Sequence, residues 1–174
     1  MRSSGAKIVL SASDLTGHLS CRHLTALDLE VAKGTRPKPK VWDPMLELLA
    51  ERGALHEAAY VDYLRAGGSK VAHVSGSGID LASVTETLDA MRSGVSVIVQ
   101  GALQVGQWSG RTDILRRVET PSGLGPWSYE VIDTKLARRP RTVRSCKSAS
   151  IQICLDRCRS ASRNSLCRSA RDRL

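Results

Sequence analysis

The chain has no phenylalanine, and aromatic residues fill only 3% of its 174 positions. A core made from it must rest on Val, Ile, Leu and Met. No apolar run approaches 18 residues, which excludes a membrane-spanning helix. The opening stretch, MRSSGAKIVLSAS, has too short an apolar run for a secretory signal, which predicts a cytoplasmic chain with no membrane partner. None of the five cysteines forms a Cys-x-x-Cys pair, so a zinc site is not expected.

Net charge is also absent from most of the chain. Residues 1–137 hold 15 basic and 15 acidic side chains, whereas 138–174 hold 11 basic and 2 acidic ones. The whole excess of +9 therefore lies in the last 37 residues. Four of the five cysteines, Cys146, Cys154, Cys158 and Cys167, lie there too. The body and the tail differ in composition, which predicts one domain over 1–137 and an Arg/Ser/Cys-rich, disordered tail over 138–174.

The body carries clear structural signals. Residues 8–32 show helical spacing at Leu15, Leu19, His23, Ala26 and Leu27, with Ser11 or Ser13 as cap and Asp14 in the first turn. KGTRPKPK, residues 33–40, is a proline-broken loop. Asp43-Pro44 opens a second helix, Met45 to about Arg65, stopped by Gly67-Gly68. A strand is expected over 70–74 and a short helix from Leu81 to about Met91, with Ser83 or Thr85 near its start. VSVIVQGAL, residues 95–103, reads as one β-branched strand. Residues 107–117 read as a strand with a glycine break, and 127–134 pair back across the PSGLGP turn. This order predicts an α/β (α+β) domain with a central mixed sheet flanked by helices.

Three places carry candidate chemistry. In RGALHE, residues 52–57, Gly53 costs about 1 kcal/mol inside a helix, which suggests a close approach of another backbone. His56 lies on the same helix face as Gly53. Asp113 stands in GRTDILRR, beside Arg111 and Arg116. YEVIDTK, residues 129–135, ends in Asp133 and Lys135, which strand alternation puts on one face. Each has an ordinary reading as well. A lone helical histidine is usually structural, an aspartate beside arginines is usually an ion-pair partner, and Asp-x-Lys is common. Their order is more specific: a histidine, then an aspartate, then Asp-x-Lys roughly twenty residues later.

In that order the chain resembles the RecB-like branch of the PD-(D/E)XK nuclease superfamily, in particular the nuclease modules often fused to a superfamily 1 helicase. The matching motifs are Ser11-Ala12-Ser13 with Cys21, Gly53-x-x-His56-Glu57, Gly110 to Asp113, and the strand from Val131 to Lys135. The resemblance covers about residues 8–137 and implies a restriction-endonuclease-like core. It implies a Mg²⁺ or Mn²⁺ site on His56, Asp113 and Asp133, with the Thr134 carbonyl completing the protein ligands. Lys135 would orient or deprotonate the water and stabilise the phosphate, with Asp113 and Asp133 catalytic alongside it. Glu57 and Gly53 would lie behind the ligands, or Glu57 would add a further one. The implied activity is metal-dependent hydrolysis of DNA phosphodiesters in DNA repair or processing, with DNA and a helicase module as partners. The rival reading is a non-catalytic nucleic-acid-binding or structural module.

The family continues past Asp-x-Lys into a helix carrying Gln and Tyr, and that pattern is missing here. Permitted codons exist for Ala137 to Cys158 whose shifted reading spells Thr-Ile-Leu-Gln-Ile-Cys-Leu-Tyr-Ser. The tail is therefore read as out of frame after about residue 137, which predicts impaired activity. Its cysteines are then accidental, and an iron–sulfur cluster on Cys21, Cys146, Cys154 and Cys158 is not expected.

Overall fold

The structure, a computed structural model, describes residues 1–5, 7–40 and 42–132. Asp133, Thr134, Lys135 and the expected tail 138–174 lie outside the described residues.

Four strands make the central sheet: β3 (Val71–His73), β4 (Val97–Val99), β7 (Ile114–Val118) and β8 (Ser128–Ile132), in the spatial order β3-β4-β7-β8. β3 runs parallel to β4, while β4–β7 and β7–β8 are antiparallel. The sheet is therefore mixed, as expected. A parallel neighbour needs a crossover, and helix α4 (Leu81–Arg92) supplies it between β3 and β4. Its cap is Asp80, which accepts the Ser83 N–H at 2.8 Å and stands a few residues before the expected Ser83 or Thr85.

Alternation decides what covers each face. Val97, Val99 and Ile114 point to helix α3 (Pro44–Ala66) and pack with Val61, Tyr60 and Leu64. Ile98, Leu115 and Tyr129 point the other way and pack with Met91 of α4. All three residues of β4 are buried, the mark of a strand covered on both faces. Burying each such side chain contributes about 1.5–3 kcal/mol, so this helix–sheet–helix sandwich is the core.

α3 matches its punctuation. Asp43 accepts the Met45 N–H at 2.9 Å, Pro44 occupies the first turn, and Gly67 ends the helix. The expected helix over 8–32 is instead two, α1 (Ala12–Ser20) and α2 (Arg22–Ala32), because Cys21 is extended, with φ −159° and ψ 113°. Asp14 accepts both the N–H and the hydroxyl of Ser11, at 2.7 and 2.8 Å. Ahead of α1 lies an unexpected hairpin, β1 (Arg2–Ser4) with β2 (Lys7–Val9). Among the described residues no helix is long and apolar enough to cross a membrane.

The stretch 95–103 is likewise not one strand. β4 stops at Val99, and β5 (Ala102–Val105) departs to pair with β6 (Trp108–Arg111) as a separate ribbon. The break is at Gln100, whose φ is +57°, followed by Gly101. A Cβ on Gly101 would sit 2.9 Å from Leu115 Cδ1 and 3.0 Å from Thr112 Oγ1. A side chain here would force Leu115 or Thr112 to shift. Gly53 is the opposite case: a Cβ there would meet nothing within 4 Å, so the expected close approach of another backbone is not found.

Two measurements follow. Gly101→Ala should lower the urea midpoint by an amount equivalent to about 1–3 kcal/mol, the usual range for overpacking a core. Burial pushes the Tyr129 phenol up to about 12, against a smaller lowering by Arg117. An unfolded phenol titrates near 10. The stability tied to this proton is therefore whole below about pH 10 and is lost as pH rises through about 12. Urea midpoints should fall over that window, and Tyr129→Phe should flatten the fall.

Candidate functional site

The Gln100–Gly101 break is a junction where β4, β5, β6 and β7 change partners, and it carries the polar chemistry of the sheet end. Gln100 donates its N–H to the Asp113 carbonyl at 2.8 Å. Thr112 donates its N–H to the Gly101 carbonyl, also at 2.8 Å. These two bonds tie the 100–101 corner to the 112–113 corner. From α4, Thr87 Oγ1 accepts the Ala102 N–H at 2.9 Å and donates to the Ser83 carbonyl at 2.8 Å. Buried backbone groups need such partners, so a threonine on α4 is part of what holds the corner open.

Arg111 fastens the corner from outside. Its Nε donates to the Gln100 carbonyl at 2.8 Å and its Nη1 to the Gly78 carbonyl at 2.7 Å. Its Nη2 reaches the Val74 and Ser75 carbonyls at 3.0 and 3.1 Å. A planar guanidinium with five donors suits this fork. The sequence suggests Arg111 as an ion-pair partner for Asp113. Its donors instead bind the loop after β3 to the end of β4.

The candidate residues distribute as follows. Asp113 sits at the corner just before β7, with its carbonyl bound to Gln100. Glu57, half-buried on α3, accepts a hydrogen bond from Gln100 Nε2 at 2.6 Å on Oε1. His56 is exposed, one helical step of about 100° away from Glu57. Gly53 is half-buried on the same helix. The structure thus joins Glu57 to the corner that holds Asp113, through Gln100. The pairing of β7 with β8 is described up to Ile114↔Ile132. That pair is one residue from Asp113 and, in sequence, one from Asp133. Asp133 and Lys135 themselves lie outside the described residues.

A cleft of about 270 Å³ opens between α3 and the sheet end, lined in part by Glu57, Gln100, Asp62, Arg65 and His73. Arg65 bridges Asp62 at 3.0 Å, and its Nη2 lies 2.9 Å from His73 Nε2. Carboxylate oxygens at this end suit a hard divalent cation in kind. Among the described residues no group of three or more His, Cys, Asp and Glu could hold a metal ion. Asp133, which the resemblance adds to the donor set, lies outside the described residues.

Sequence reasoning missed Gln100 and the role of Arg111. The signal for Gln100 was present: a polar residue followed by glycine interrupts an otherwise apolar, β-branched run. A left-handed backbone costs a non-glycine residue about 1–2 kcal/mol, and residues held there tend to cluster at functional sites.

Arg111→Ala should lower the unfolding free energy by about 2 kcal/mol. Two of its four carbonyl acceptors are part-buried, and each net hydrogen bond contributes about 1 kcal/mol. Arg111→Lys should recover little, because an ammonium cannot fork; denaturant titration reads both. Comparison of the chain with protein-family profiles, curated proteins and solved structures finds no match.

Proposed function

We propose that the chain is a RecB-like nuclease module whose reaction is metal-dependent hydrolysis of DNA phosphodiesters. On this reading the sandwich of α3, sheet and α4 is a restriction-endonuclease-like core. The observation that supports it best is the bond of 2.6 Å from Gln100 to Glu57. It couples the Gly53-x-x-His56-Glu57 helix to the corner holding Asp113, so two of the matched motifs meet at one end of the sheet. Motifs scattered over a module without a site would have no reason to converge.

The donors assigned to Mg²⁺ or Mn²⁺ are Asp113, Asp133 and a residue of α3. The resemblance names His56 for that last place, with Glu57, which accepts from Gln100 Nε2, as a further ligand or a partner behind it. A bound divalent cation supplies an acidified water and neutralises phosphate charge. Lys135 provides a positive charge where negative charge develops on the phosphate, and positions the attacking water. The two aspartates orient the reacting groups. The Gln–Tyr helix that covers such sites is missing from 138–174, so cleavage by this chain is expected to be weak and metal binding is the better readout.

Calorimetric titration with Mn²⁺ should show binding by the chain and its loss in Asp113→Ala and in Asp133→Ala. Lys135→Ala should keep the metal. No binding by the unaltered chain, or equal binding by both aspartate variants, would overturn the assignment. The coding DNA beyond Lys135, read in the shifted frame, should encode the Gln–Tyr helix.

A further inference from the structure

We propose that residues 33–42 and the start of α3 form a contact surface for single-stranded nucleic acid, with Lys38 and Lys40 on the phosphates and Trp42 under a base. The inference goes beyond the metal-site reading and does not depend on it, because it uses no cation and none of Asp113, Asp133 and Lys135. The segment 33–42 holds four basic and no acidic residues, although residues 1–137 together are neutral. Lys33, Lys38 and Lys40 are exposed, and among the described residues none of them is in an ion pair. Arg36 differs, with its Nε on Glu30 Oε2 at 2.7 Å.

The backbone of the segment is shaped in advance. Thr35 donates its N–H and its hydroxyl to the Glu30 carbonyl, each at 3.0 Å, and Asp43 caps α3 at the other end. Pro37 and Pro39 fix their own φ and push the residues before them, Arg36 and Lys38, towards extended backbone. At about 3.1 Å per residue, Arg36, Lys38 and Lys40 then stand in steps of about 6 Å. A row of like charges that is already extended loses little freedom on binding. Trp42 follows Lys40 within about 7 Å of chain. It is 75% exposed, and its Nε1 donates to Glu47 Oε1 at 3.1 Å, so the ring is held by its edge with a face open. Met45 and Leu46 continue the exposed apolar surface beside it.

The partner that fits is a polyanion whose units also present flat apolar faces. Single strands have both, and a basic track with aromatic platforms is how they are bound without sequence preference. A duplex hides its base faces. An anionic membrane suits the lysines and Trp42 but not α3. An interfacial helix carries Lys and Arg beside its apolar face, whereas the first charged positions of α3 are Glu47 and Glu51.

Binding is read on the full chain in EDTA, by anisotropy of a labelled oligothymidylate and by quenching of tryptophan emission. Trp42→Leu should weaken binding about fivefold or more, the low end for one stacked base, and should remove the quenching, since Trp108 and Trp127 are half-buried. The same variant should bind an abasic oligodeoxynucleotide as the unaltered chain does. Lys38→Ala with Lys40→Ala should make log K against log salt less steep by about 1.4, at about 0.7 for each phosphate on a single strand. The basic residues of 138–174 are the same in every variant, so the differences isolate this segment. Equal oligothymidylate affinity in Trp42→Leu and the unaltered chain, or an equal loss on the abasic strand, would overturn the inference. So would quenching by phosphatidylglycerol vesicles in place of oligothymidylate. None of these outcomes bears on Mn²⁺ binding, and a failure to bind Mn²⁺ leaves all of them standing.

Discussion

The fork of Arg111 is the interaction on which the sheet end depends. One guanidinium gathers carbonyls from Val74, Ser75, Gly78 and Gln100. These lie after two parallel neighbours, β3 and β4, where ladder bonds end and carbonyls would otherwise compete for water. A hydrophobic residue at position 111 could pack here but could not satisfy them. A lysine has three donors on one nitrogen and no planar fork to reach all four.

Around that fork, strain and support are paired. Gln100 adopts a backbone that glutamine resists, and Gly101 fills a space that would admit no Cβ. Gln100 is held by Asp113, Arg111 and Glu57, Gly101 by Thr112, and the neighbouring Ala102 N–H by Thr87. The cost of the corner is met by the two apolar faces of β4, whose burial is far larger than a single strained residue. A surface loop could not hold the same geometry.

What the sequence makes legible follows from locality. The limits of α3 are readable because Asp43, Pro44 and Gly67 act within a few residues of themselves. The mixed sheet is readable because β-branched runs alternate with helical ones. The split of 95–103 is marked only by Gln100-Gly101 in an apolar run, a weak signal beside the β-branched residues that precede it; the left-handed backbone that breaks the strand is seen only in the fold. The same holds for the break at Cys21 and for the hairpin β1–β2, where short polar runs carry little periodic signal. At the site, the sequence put Asp113 within one strand over 107–117, whereas β6 ends at Arg111 and β7 starts at Ile114, so Asp113 stands at a corner between them. His56 and Glu57 differ by one helical step, and the packing of Val61, Tyr60 and Leu64 against the sheet sets which of them faces Gln100. Gly53 misled because a helical glycine can be tolerated without a contact that demands it.

The same packing divides α3 along its length. The helix is about 34 Å long, yet Val61 is its one buried residue among those described, and Met45, Leu46, Leu48, Leu49 and Leu55 are exposed. Tertiary packing, not propensity, supplies most helical stability. The first three turns therefore rest on the Asp43 cap and short-range terms, while the last three are tied to the sheet. Amide protons should exchange quickly near the start of the helix and slowly towards its end, with the boundary near Glu57. The residue that meets Gln100 thus stands on the first turn of the helix tied to the sheet, just beyond its exposed half.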